Sequence, residues 1–156
     1  MKPFRSRQIL YWIYKKGVSD FNEMTDISKE ERRLLSNRLS ISNLSFLKKF
    51  TSEDCSTVKY LFETEDHKKI ETVKIVGSKR QTICVSTQVG CPLKCKFCAS
   101  GKFGFKRNLT SGEILSQLLY FKGIEKVNFS NIVFMGMGEP LLNYDNLVKA
   151  IELINS

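Results

Sequence analysis

The sequence predicts an α/β fold in which a small helical module precedes the first strand–helix units of a parallel sheet. Three observations predict it. Apolar residues recur at helical spacing through the first fifty positions, alternate with period two from about residue 57, and from residue 82 follow the order strand, loop, helix, strand, loop, helix.

Taken in order, Ile9, Trp12 and Ile13 share one helical face, and Gly17 supplies a C-terminal stop. Ser28 and Glu31 have capping-box spacing ahead of Leu34, Leu35 and Leu39, so a second helix is expected. Val58, Tyr60 and Phe62 alternate, Glu71, Val73 and Ile75 alternate again, and residues 82–86 form a short apolar strand. Thr110 and Glu113 make another capping box leading into Ile114, Leu115, Leu118 and Leu119. Residues 131–135 are an apolar run closed by a Gly-Met-Gly turn, after which Leu147, Val148, Ile151 and Ile154 return to helical spacing. The expected division is a helical accessory module at 1–50, a β linker segment at 51–80 and the start of a core domain at 81–156.

Parallel strands joined by crossover helices put chemistry in the loops that leave the strand C-terminal ends. Both unusual loops fall there: the Cys-rich one after Val89 and the Gly136-Met137-Gly138 turn. Two such units do not close a barrel, and nothing follows Ile151 and Ile154 to cover them, so the chain is read as the N-terminal portion of a longer protein.

The 156 residues suit one domain, or a module joined to part of a larger one; 42% hydrophobic residues with 11 Phe support a core and exclude disorder. No apolar run approaches the roughly 20 residues that span a bilayer, and Lys and Arg interrupt the N-terminal apolar stretch, so a soluble, cytoplasmic protein is expected. The net charge of +9 is uneven: +6 over residues 1–50, zero over 51–80, +5 over 81–110 and −2 beyond. Two basic blocks favour a nucleic acid over a membrane, and a merely solvated basic surface is the plain alternative.

Five Cys without a signal peptide point to thiols kept for metal or chemistry. Cys91, Cys95 and Cys98 lie within eight residues. Three thiolates leave a tetrahedral zinc one ligand short, and leave one iron of a cubane iron–sulfur cluster open to an outside ligand. Zinc completed by Cys84, Cys55 or His67 is the competing reading, while redox use lacks a thioredoxin-type pattern.

The Cys91-x₃-Cys95-x₂-Cys98 spacing resembles that of radical S-adenosylmethionine enzymes, and the surrounding residues carry the likeness further. The stretch from Cys84 to Cys91 (Cys-Val-Ser-Thr-Gln-Val-Gly-Cys), then Phe97-Cys98-Ala99-Ser100-Gly101, Gly104-Phe105-Lys106-Arg107-Asn108-Leu109-Thr110 and Met135-Gly136-Met137-Gly138-Glu139-Pro140-Leu141-Leu142-Asn143 resemble the RlmN/Cfr family, and its RlmN branch more closely at Glu139-Pro140. The resemblance implies the first part of a (β/α)6 radical S-adenosylmethionine barrel, and methylation of C2 of an adenine in 23S ribosomal RNA, with transfer RNA a second substrate of some relatives. The alternatives are C8 methylation of the same adenine, as in antibiotic resistance by the Cfr branch, and a zinc-stabilised RNA-binding module without catalysis.

By that resemblance Cys91, Cys95 and Cys98 hold a [4Fe-4S] cluster whose fourth iron chelates S-adenosyl-L-methionine, and reductive cleavage gives a 5′-deoxyadenosyl radical. An adenine ring carbon is too weak a nucleophile to accept a methyl cation, so the cofactor must supply radical chemistry. Gly138 and Glu139 match the motif that holds the amino group of S-adenosylmethionine; read alone they are a turn glycine and a solvated or helix-start carboxylate. Glu71 matches the family's proton acceptor and Cys84 the cysteine that resolves the covalent enzyme–RNA intermediate; read alone they are an exposed strand Glu and a small buried strand residue. Lys94, Lys96, Lys102, Lys106 and Arg107 offer charge to RNA phosphates or to the cluster. The family's methyl-carrying Cys matches none of the five here, all of which precede residue 99, so this chain alone is expected to be inactive. Expected partners are 23S ribosomal RNA, transfer RNA and a one-electron reductant such as flavodoxin or ferredoxin, with no membrane and a monomeric state.

Overall fold

The structure, a computed structural model, describes residues 3–155. The helical module holds α1 (Pro3–Tyr11), which runs into a π turn at Trp12–Lys16, and α2 (Lys29–Ser36). Gly17 ends the first in the left-handed region, its N–H donating to the Trp12 carbonyl. The Ser28 hydroxyl caps the second by accepting from the Glu31 N–H. Val18, Phe21, Met24, Ile27 and Leu35 form a small separate core, with Ile9, Trp12 and Ile13 packed on it. The expected second helix is present but ends at Ser36, so Leu39 lies beyond it, and of its two leucines Leu35 is buried and Leu34 exposed.

The rest is built on one five-stranded sheet. Its strands are β1 (Leu44–Thr51), β2 (Thr57–Thr64), β3 (Lys69–Val76), β4 (Gln81–Cys84) and a last strand at Asn131–Val133. Between the last two come β5 (Gln88–Val89), the short helix α3 (Ala99–Lys102), β6 (Arg107–Asn108) and α4 (Ser111–Gly123), so the last strand is β7, followed by α5 (Tyr144–Asn155). The spatial order is β1-β2-β3-β4-β7, antiparallel from β1 to β4 and parallel between β4 and β7. The parallel pair with its crossover helix is the α/β unit expected from residue 82. The preceding β residues are hydrogen-bonded into the same sheet, and the first strand opens at Leu44, inside the stretch read as helical.

One face of the sheet carries the core. Val58, Tyr60, Phe62, Ile70 and Ile83 pack with Ile114, Leu115, Leu118 and Phe121 of α4. Tyr60 and Phe121 meet edge to face at 4.8 Å. In β3 the inward residues are Ile70 and Thr72, while Glu71, Val73 and Ile75 face the other way. Both sets alternate; pairing with Phe62 and Tyr60 selects the former, and the buried Thr72 hydroxyl is satisfied by donating to Gln117 Oε1 at 2.7 Å. Leu147 and Ala150 face inward from α5, whereas Ile151 is exposed. Among the described residues no helix is long and apolar enough to cross a membrane.

The expected capping box at Thr110 is present, its hydroxyl accepting from the Glu113 N–H and Glu113 Oε2 accepting from the Thr110 N–H at 2.9 Å. The Glu113 carboxylate also takes Arg107, whose Nη1 and Nη2 donate to it at 2.8 Å while Nε and Nη2 donate to Asp66 at 3.0 and 2.6 Å. Arg107 therefore clamps the β2–β3 turn to β6 and α4 and is committed to carboxylates, not to RNA phosphates as its sequence context suggests. Arg107 and then Thr64 hold the Asp66 carboxyl below its ordinary range. Burial pushes Glu113 up, but Arg107 and Thr110 outweigh it and the net displacement is downward.

Carboxyls with depressed folded values contribute stability that is present above about pH 4 and is lost as pH falls through those depressed values. Arg107→Met is expected to lower stability by about 2–3 kcal/mol at neutral pH, below the cost at a fully buried pair because Arg107 is about a third exposed. In thermal denaturation the gap to wild type should close as pH is lowered below about 4. A gap that ignores pH would show that stem packing, not charge, holds the clamp.

Candidate functional site

From Ile83 to Cys91 the chain is buried without a break, running from the end of β4 through β5 to the Cys-rich loop. The Gly-Met-Gly turn after β7 lies along this segment. Gly136 N–H donates to the Val85 carbonyl at 3.1 Å, Met137 N–H to Ser86 Oγ at 2.8 Å, and the Met137 carbonyl accepts from the Thr87 N–H at 2.9 Å. The buried Gln88 amide then fixes the next residue: its Oε1 accepts from the Glu139 N–H at 2.9 Å and its Nε2 donates to Asn108 at 2.8 Å. Gly138 has φ +106°, and a Cβ there would meet Gln88 Cβ at 2.6 Å, so only glycine lets the turn lie this close. Glu139 is half-buried, and its carboxylate accepts from the Leu141 N–H at 3.2 Å at the start of a 3₁₀ turn.

Asn143 is buried and donates to the carbonyls of Thr87 and Leu109 at 2.7 and 2.8 Å, tying the turn's far end to the same segment. Sequence reasoning gives neither Gln88 nor Asn143 a role. The signal was present only as two amides inside the quoted motifs, with no spacing rule to mark them.

The Cys-rich loop is clasped at its base. Lys106 N–H donates to the Val89 carbonyl at 2.9 Å, β5 pairs with β6, and Gly90, at φ +76°, sits so close to Gly104 that a Cβ would fall 1.8 Å from its carbonyl oxygen. Cys91 is buried at the root, Cys95 is exposed and Cys98 lies between these extremes. Backbone N–H groups of Gly101 and Ser100 draw the Cys98 thiol below its ordinary value, favouring thiolate. Among the described residues no three Cys, His, Asp or Glu side chains converge enough to hold a metal ion. The loop thus brings the three predicted thiols onto one short segment without gathering their sulfurs. Its donor set fits an iron–sulfur cluster: soft sulfur ligands, one already biased toward thiolate, in a stretch from 81 to 110 with five basic and no acidic residues.

The alternative fourth zinc ligands are not grouped with the loop either. Cys55 is exposed in the β1–β2 turn, and His67 lies in the β2–β3 turn, 3.6 Å from Glu63. Cys84 is buried at the end of β4, paired with Val73 and Val133, and burial pushes its thiol up despite a bond from the Met135 backbone.

Glu71 is two residues before Val73 on β3, so Glu71 and Cys84 face the same side of the sheet, away from α4. The Glu71 carboxylate pairs with Lys59 Nζ at 3.0 Å. Both border a groove of about 620 Å³ that Gly90, Ser100, Phe103 and Met137 also line. The structure therefore brings Glu71, the root of the Cys-rich loop and the Gly-Met-Gly turn to one groove. Cys84 does not border it.

Comparison with known proteins gives a consistent picture. A family model described as the ribosomal RNA large subunit methyltransferase N-terminal domain matches residues 1–41, and the radical SAM superfamily model matches residues 85–156. A probable dual-specificity RNA methyltransferase RlmN from Thermotoga maritima is 50% identical over 155 residues, covering 99% of this chain and 45% of its own length. The protein of the same description from Petrotoga mobilis is 48% identical with the same coverage. A crystal structure of a radical SAM methyltransferase from Sphaerobacter thermophilus superposes with a TM-score of 0.91 at 38% identity, covering 98% of this chain and 46% of that one. The chain thus spans about 45% of the length of the curated relatives it matches.

Proposed function

We propose, from this chain's membership of the RlmN-type radical SAM methyltransferase family, that it forms the cofactor-gripping part of an enzyme that methylates C2 of an adenine in 23S ribosomal RNA, with transfer RNA as a second substrate. Members of the family use a [4Fe-4S] cluster and S-adenosylmethionine. The observation that carries the reading is the shared groove, which Glu71 lines together with Gly90 at the root of the Cys-rich loop, Ser100 just after Cys98, and Met137 of the Gly-Met-Gly turn.

In this reading Cys91, Cys95 and Cys98 would hold the cluster, which when bound would supply an electron for the reductive cleavage of S-adenosylmethionine. Gly138 lets the turn settle on Gln88, which in turn sets the backbone of Glu139 for a charge-assisted contact with the ammonium of S-adenosylmethionine. Glu71 is the proton acceptor, held at its place by Lys59. Cys84 is kept as a thiol by burial and acts on the covalent enzyme–RNA intermediate as its resolving cysteine. None of the five Cys of this chain matches the family's methyl-carrying Cys, so in this reading the 156 residues alone assemble a cluster without methylating RNA. A one-electron reductant of the flavodoxin or ferredoxin kind completes the system.

Glu139-Pro140 and the description of the relatives as RlmN support C2 over C8. Mass spectrometry of nucleosides from RNA treated with the full-length enzyme is expected to find 2-methyladenosine. The 8-methyl isomer, or methylation by the 156-residue chain alone, would reverse the corresponding statement.

A further inference from the structure

The face of β1–β3 turned away from α4 carries, beside Glu71 and Lys59, a basic and aromatic strip whose Lys48, Phe50 and Lys69 have no role above. Register sets its members side by side: Phe50 lies opposite Lys59, Lys48 opposite the Leu61 that pairs with Glu71, and Lys69 opposite Glu63. Phe50 is 47% exposed, and two ammonium groups stand over its ring, Lys48 at 4.8 Å and Lys59 at 5.6 Å from the centroid. The strip leads straight into the groove beside the Cys-rich loop. Four lysines line that groove (Lys59, Lys68, Lys69 and Lys106) against one carboxylate, Glu71, and the 72% exposed ring of Phe103 stands at its lip. Glu63, the other acid on this face, is turned to His67.

We infer that this strip is a platform for single-stranded RNA, with Lys48, Lys69 and Lys106 on consecutive phosphates and Phe50 stacking a base next to the one that enters the groove. Charge decides the occupant. A wall of lysines with a single acid repels a basic partner and leaves ammonium groups unpaired under an apolar one, whereas a polyanion matches it. Exposed rings decide the strandedness, because bases offer their faces to aromatic side chains only when unstacked from a helix. The inference rests on the RNA-modifying function proposed above and deepens it: the substrate is held along the outer face of β1–β3, where Lys48, Lys59 and Lys69 share one side of the sheet.

The test uses the full-length protein with its cluster assembled, a fluorescein-labelled single-stranded oligoadenylate, and an RNA duplex as control. Replacing both Lys48→Gln and Lys69→Gln should flatten the slope of log affinity against log salt by about 1.4, at about 0.7 per lost phosphate contact on a single strand. Phe50→Leu should weaken oligoadenylate binding about tenfold with the slope unchanged and leave duplex binding alone. Lys48→Gln, on an exposed edge strand, serves by itself if the double variant is unstable, with half the change in slope. An unchanged slope overturns the platform, as it would if another part of the full protein covered the strip; an unchanged Phe50→Leu affinity overturns the stacking. Iron content and S-adenosylmethionine binding are read on the same samples. Their absence in wild type would fall on the proposed function, while their presence beside RNA binding indifferent to these variants would fall on the platform alone.

Discussion

Replacing Gly90 with alanine is expected to strip the protein of iron while leaving all three cysteines of the loop in place. At φ +76° an L side chain costs about 1 kcal/mol in backbone terms alone. The steric term is larger. The new Cβ would fall 1.8 Å from the Gly104 carbonyl oxygen and 2.9 Å from its carbon, and the obstacle is backbone, which cannot rotate aside as the end of a flexible side chain would. Relief requires separating the two strands that clasp the loop, with loss of the Lys106 to Val89 hydrogen bond and of β5–β6 pairing. The combined cost is about 3 kcal/mol or more, concentrated one residue from Cys91. After anaerobic reconstitution, iron should fall from about four per chain to below about one. Wild-type iron content would show that the loop closes without its clasp.

Gly138→Ala is expected to separate the two halves of the site in the opposite sense, with iron content intact and S-adenosylmethionine affinity reduced by about thirtyfold or more. The added Cβ would meet Gln88 Cβ at 2.6 Å and Gln88 N at 2.8 Å. Gln88 has no room to withdraw, since it is buried and both ends of its amide are already bonded, to Glu139 and to Asn108. The turn must lift instead, carrying the Glu139 backbone away from its bond. Losing that bond and the aim of the carboxylate costs about 2 kcal/mol in binding, which is the thirtyfold stated. Calorimetric titration of the reconstituted protein reads it directly. Unaltered affinity would mean that Gly138 and Glu139 do not grip the cofactor.

The parts of this architecture that the sequence announces are local ones. Caps at Ser28 and Thr110 are spelled by residues three apart, Gly17 ends its helix, and the three cysteines share a loop because only six residues separate the first from the last. Long-range choices were not legible. Alternation in β3 fits either face, and only pairing with β2, together with the Gln117 amide waiting 45 residues away for Thr72, makes Ile70 and Thr72 the inner pair. The Arg107 clamp joins groups 41 residues apart, and its carboxylates turn a presumed RNA contact into a structural one. Gln88 is silent for the same reason: its partner Glu139 lies 51 residues away. Spacing also fixes loop membership for Cys91, Cys95 and Cys98, but not where their sulfurs point.

The central claim is that these three thiols hold a cluster with one iron left open. Electron paramagnetic resonance of the anaerobically reconstituted, reduced protein tests it most directly, before and after S-adenosylmethionine is added. The account predicts the signal of a reduced [4Fe-4S] cluster that changes shape when the cofactor binds, and that disappears in a Cys95→Ala protein. A colourless protein carrying one tightly bound zinc, or a cluster signal indifferent to S-adenosylmethionine, would contradict it.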